Sequence, residues 1–153
     1  MAKNKMSGWA IAILVLTIIS AVLLVMGIIA FAVALPEVKA VAEQAAHDKG
    51  LVGQDFDLAV AVALAAVIAA FVVSIVFEVF QVIGGFLFSL KGRWGVFCIV
   101  VSILSAATNT WELISAISNR SGALTIVTSV IALLVSAFLV VACFMHRAEN
   151  RRA

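Results

Sequence analysis

Charge is scarce in this 153-residue chain, and so are residues that interrupt helices. Asp, Glu, Lys and Arg make up 12% of it, and proline occurs once, at Pro36. Hydrophobic residues reach 65% and mean hydropathy is +1.26. That is too little polar surface to cover a water-soluble domain, so an integral membrane protein is implied. Cysteine is limited to Cys98 and Cys143, with no Cys-x-x-Cys spacing, which argues against a thiol-disulfide membrane enzyme. The two lie far apart in sequence, near the expected cytoplasmic ends of their spans, where no structural disulfide is expected. A Gly-rich phosphate loop, His-Glu-x-x-His, a serine triad and paired catalytic carboxylates are all missing. The expectation is a non-enzymatic protein with no cofactor, no metal and no nucleic-acid partner.

What is present is apolar and long. Four runs, Gly8–Leu35, Leu58–Leu90, Val96–Ile117 and Ala123–Phe144, each exceed the roughly 20 residues that span about 30 Å of hydrocarbon as a helix. The expected fold is all-α: a polytopic, antiparallel bundle of four transmembrane helices forming a single membrane domain over residues 1–153. The first run follows Lys3 and Lys5 and ends in Ala32-Val33-Ala34, a signal-peptide-like pattern. Its 28 residues exceed a usual signal core, so it is expected to stay as the first helix.

Placing both termini inside puts Lys3, Lys5, Lys91, Arg93, Arg147, Arg151 and Arg152 on the inner side, and Lys39, Lys49 and Arg120 outside. This asymmetry favours cytoplasmic termini in the plasma membrane. Trp9 and Trp94 then anchor the inner interface and Trp111 the outer one. The net charge of +2 is accounted for by this topology.

The outer loop, 36–57, carries Glu37, Glu43, Asp48, Asp55 and Asp57. Pro36 at a first turn and Lys49-Gly50 as a stop predict a short extracytoplasmic helix between helices 1 and 2, serving as a lid or docking surface. Asp57 is placed to cap helix 2. His47 and His146 read as solvated, and Asn119-Arg120-Ser121 matches a glycosylation sequon too near the membrane to be used. The loop lacks the Trp and paired Cys of claudin-type tetraspans, and the first helix lacks the acidic residue of small multidrug exporters.

Candidate function rests on two polar stripes. Ser74, Glu78, Gln81, Gly85 and Ser89 recur at helical spacing on helix 2, and Cys98, Ser102, Ser105, Asn109 and Glu112 do so on helix 3. A hairpin turning at Lys91–Gly95 sets them face to face: Ser74 with Glu112, Glu78 with Asn109, Gln81 with Ser105. Glu78 lies 13 residues before Lys91, about 20 Å into the membrane. A carboxyl there costs about 2.5–3.5 kcal/mol on insertion scales, so it should face protein or water. Val76, Phe80, Ile83 and Leu87 on the other side of the helix read as lipid-facing.

Such a seam, Glu78, Asn109, Gln81, Ser105, Ser74 and Glu112, has two readings. It is interhelical glue in a subunit of a homo-oligomer or of an assembly with a larger membrane protein, or it is the pathway of a small proton- or cation-coupled transporter or channel. Glutamine would serve as well as Glu78 for glue alone. The weaker stripes, Thr17, Ser20 and Gly27 on helix 1 and Thr125, Ser129, Ala132, Ser136 and Cys143 on helix 4, read as small-residue packing.

Overall fold

The computed structural model describes residues 6–118, 120 and 122–152. Lys3 and Lys5 of the charge count, and Asn119 and Ser121 of the sequon, lie outside the described residues. Four helices follow one another: α1 (Gly8–Asp48), α2 (Gln54–Lys91), α3 (Gly95–Ser118) and α4 (Ala123–Arg152). Each is long and apolar enough to cross a membrane.

Three boundaries differ from the sequence expectation. The short helix after Pro36 is not separate, because α1 runs through Pro36 to Asp48. Proline removes one N–H donor and crowds the carbonyl four residues before it, and the Ala, Leu, Glu and Lys residues on both sides carry the helix past it. The exposed Lys39–Glu43 pair, 3.7 Å apart, is the one-turn neighbour contact of such a continuation. Helix α2 begins at Gln54, since the Gly53 carbonyl accepts the N–H of Asp57 at 3.2 Å. Asp57 therefore does not cap α2 but sits in its first turn with Asp55, where the positive helix end favours both carboxylates. Helix α4 extends eight residues beyond Phe144 to Arg152.

The stop at Lys49-Gly50 is as expected, and its geometry explains it. Gly50 has φ +70°, its N–H donates to the His47 carbonyl at 2.9 Å, and the Leu51 N–H donates to Ala46 at 3.2 Å. This is a Schellman motif, which needs a left-handed residue that glycine supplies without strain.

By packing, the chain divides into two units, one formed by Val25–Val76 and the other by the segments up to Leu24 and from Phe77 onward. The Val25–Val76 unit is a helical hairpin. Phe31 stacks on Phe71, with ring centroids 3.7 Å apart and planes at 11°, and Ala46 and Val60 are buried. Most of its other apolar side chains are open, as at Val33, 74% exposed, and Val62, 60% exposed.

The other unit contains parts of all four helices around one core: Ile13 from α1, Phe88 from α2, Cys98 and Ile99 from α3, and Leu139, Ala142 and Cys143 from α4. Lipid is as apolar as these side chains, so close fit rather than escape from water holds such helices together. Gly84 and Gly85 provide the fit. A Cβ on Gly84 would meet the Phe97 ring at 3.1 Å, and one on Gly85 would overlap the Thr17 hydroxyl. Helix α2 thereby approaches α3 and α1 at adjacent residues. Helices α3 and α4 run antiparallel, with Cys98 opposite Cys143 and Asn109 opposite Ser136.

Candidate functional site

The polar residues of the four-helix unit converge on a cavity of about 30 Å³, room for a water or two. Its wall contains Ser20 from α1, Glu78 and Gln81 from α2, Ser105 and Asn109 from α3, and Ser136 from α4, closed by Leu23, Ala132 and Val135. Helical periodicity explains the convergence, because residues three and four apart share a face. Gln81, Ser105, Asn109 and Ser136 are buried and Glu78 is half-buried. On the opposite side of α2, Val76, Phe80 and Ile83 are exposed, with Leu87 half-buried.

Four of the six residues expected in the seam are thus together: Glu78, Gln81, Ser105 and Asn109. Glu112 is exposed and does not line the cavity. Ser74 belongs to the helical hairpin unit, where it is half-buried. Trp9, Trp94 and Trp111 are all exposed, Trp111 by 71%.

The hydrogen bonds run elsewhere than the stripes suggest. Asn109 donates from Nδ2 to the Ser136 hydroxyl at 2.6 Å and to the Ala132 carbonyl at 3.3 Å. Ser136 in turn donates to Ala132 at 2.9 Å. Asn109 therefore ties α3 to α4, and among the described residues none of the side-chain hydrogen bonds reaches the Glu78 carboxyl. Ser20, Ala132 and Ser136, expected as packing residues, also line the cavity. The polar stripes on α1 and α4 carried that signal, in weaker form than those on α2 and α3.

Below the cavity lie further buried polar groups. Thr17 and Ser102 are fully buried, and neither hydroxyl has a hydrogen-bond partner. Cys98 and Cys143, both free and buried, bring their Sγ atoms to 2.9 Å. His146 is buried rather than solvated, because α4 continues as a helix and carries it onto the face of Leu139 and Cys143. Its ring packs on Phe88 at 4.7 Å, and its Nδ1 lies 3.2 Å from the Ser7 hydroxyl. That hydroxyl also accepts the Ala10 N–H, making Ser7 the N-cap of α1. Glu149, 3.7 Å from His146, and Asn150 complete this end.

His47 is exposed and lies edge-on to Phe56, 6.1 Å between centroids. Among the described residues no three His, Cys, Asp or Glu side chains are grouped to hold a metal. No protein-family model, curated protein or solved structure matches the chain.

Proposed function

We propose that this is a non-enzymatic four-helix protein of the plasma membrane, with both termini cytoplasmic, that takes up a proton or small cation at Glu78. One observation carries the reading. Among the described residues, Glu78 is the only titratable side chain on a polar cavity to which all four helices contribute, while the nearby amide of Asn109 is already engaged by Ser136 and Ala132. Glue would use the carboxyl as a hydrogen-bond partner between helices. Here the glue is Asn109, and the carboxyl is left for water or an ion.

The chemistry fits that use. A buried membrane carboxyl is costly unless protonated, hydrated or paired. Water in the cavity would connect Glu78 to the Ser20 and Ser105 hydroxyls, a chain of groups that both donate and accept protons. Carboxylate, amide carbonyl and hydroxyl oxygens are also the donor set that hard cations prefer. The other acid of α3, Glu112, stands one turn beyond Asn109 and is exposed, which suits an outer approach to the site.

A second reading, a subunit that works through assembly, is favoured by the helical hairpin unit. Its apolar side chains are open on nearly every side, a surface that a second copy or a larger membrane partner would cover. The two readings are compatible, because a single narrow bundle gains a route for ions by assembling.

The test is proton and cation flux in liposomes containing the purified protein, wild type against Glu78→Gln. The variant keeps the shape and hydrogen-bonding capacity of the side chain but removes its charge. Flux in the wild type that disappears in Glu78→Gln supports uptake at Glu78. Equal flux in both, or none in either, removes the reading and leaves assembly.

A further inference from the structure

Apart from the Glu78 cavity, the four-helix unit holds a second reactive group that ion uptake does not use. Cys98 on α3 and Cys143 on α4 are the only cysteines of the chain. They are fully buried free thiols with Sγ atoms 2.9 Å apart. A disulfide bond is about 2.05 Å long, so closing the gap takes a movement of about 0.9 Å. The surrounding core is Ile13, Phe88, Ile99, Leu139 and Ala142. The cytoplasm keeps thiols reduced through water-soluble reductants. Two sulfurs of zero exposure inside an apolar core are reached only when the helices part, and a reagent that partitions into hydrocarbon then has the advantage over a charged, water-soluble one.

We propose that Cys98 and Cys143 are a redox-active dithiol, oxidised by organic hydroperoxides of the lipid phase to a disulfide that joins α3 to α4. One sulfur attacks the terminal oxygen of the hydroperoxide, the O–O bond breaks, and the leaving alkoxide takes up the thiol proton, giving a sulfenic acid on the protein and an alcohol. The second thiol then attacks the sulfenic sulfur. The S–S bond forms and the oxygen leaves as water, taking the thiol proton. Two thiols are oxidised and one hydroperoxide is reduced by two electrons, with no other reactant. Ser102 stands one helical turn beyond Cys98, and its buried hydroxyl has no partner. It supplies a donor for the sulfenic oxygen. The product staples the same helix pair that the Asn109–Ser136 bond holds, which turns a packed interface into a covalent one under lipid oxidation.

The experiment uses the full chain in liposomes, reduced, freed of reductant and exposed to cumene hydroperoxide. Remaining thiols are counted with a maleimide in denaturant, and the intact mass is measured. The expected result is loss of both thiols together, a mass lower by two hydrogens, one alcohol released per chain, and full reversal by a phosphine reductant once the chain is denatured. Two thiols still reactive, stable oxygen adducts, or a disulfide-linked dimer would each overturn the proposal. Cys143→Ser under the same treatment is expected to retain a sulfenic acid at Cys98 that dimedone traps. Loss of two hydrogens from that variant would place the chemistry elsewhere.

Discussion

Gly85 of α2 lies so close to Thr17 of α1 that a Cβ at position 85 would overlap the Thr17 hydroxyl oxygen and come within 3.1 Å of its Cβ. Thr17 is fully buried and its hydroxyl has no partner, so it has no room to retreat. Gly85→Ala is expected to force these helix segments apart and to destabilise the four-helix unit by about 1–3 kcal/mol, the usual cost of overpacking. Thr17→Ala in the same chain should recover part of that loss, since it removes the nearest two atoms. Unfolding in graded detergent mixtures measures both; equal stability of Gly85→Ala and wild type would mean the contact is not tight.

The same hydroxyl supports a prediction of opposite sign. A buried donor without a partner is destabilising by about 1–3 kcal/mol relative to a satisfied one, while an apolar group of the same shape carries no such penalty. Thr17→Val is therefore expected to unfold at the same or a higher detergent fraction than wild type. A clear loss of stability would show that the hydroxyl does find a partner.

Asn109 and Ser136 define the α3–α4 register, and their coupling is measurable. A double-mutant cycle with Asn109→Ala and Ser136→Ala is expected to return an interaction energy of about 0.6 kcal/mol, with an upper range near 1.7, the scale found for hydrogen bonds between membrane helices. Additive losses would mean the bond contributes nothing beyond shape.

Much of this arrangement was legible in the residue numbers. The stripes of α2 and α3 fold onto each other about the Lys91–Gly95 turn, and that arithmetic alone brought Glu78, Gln81, Ser105 and Asn109 together. The same arithmetic about the turn at 119–122 puts Cys98 and Cys143 at equal distances from its centre, so the thiol pair is also written in the residue numbers. Sequence separation suggested the reverse, because it says nothing about which helix faces meet.

Two features were harder to see. Pro36 reads as a boundary under rules drawn from helices in water, yet one proline does not stop a helix flanked by Ala34, Leu35, Glu37 and Lys39. His146 reads as tail because charged residues follow it. Only the uninterrupted helix reveals that it repeats the buried face of Leu139 and Cys143.

Pro36 leaves the Ala32 carbonyl without its usual helical donor. Pro36→Ala restores that donor inside α1 and is expected to raise stability, by up to about 3 kcal/mol if the proline cost applies in full. Hydrogen exchange should show a new protected amide at position 36 and slower exchange in the flanking turns. Unchanged exchange across 32–40 would mean that the proline site is already satisfied.

Glu78 and Glu112 are the only acids of the two central polar stripes, and they differ in exposure. Glu78 lines the cavity, whereas Glu112 is exposed. A lipid-soluble carbodiimide reacts with a protonated carboxyl that it reaches from the bilayer. If Glu78 exchanges a proton, its labelling should fall as pH rises, because deprotonation removes the reactive form, and Glu78→Gln should abolish it. Glu112→Gln is expected to leave stability nearly unchanged, within the roughly 0.5 kcal/mol typical of exposed substitutions, and to leave Glu78 as the labelled residue. Peptide mapping after labelling at a series of pH values decides between the two. Labelling at Glu112 alone, or labelling of Glu78 that does not vary with pH, would remove Glu78 from any proton route and leave the cavity as a packing defect between four helices.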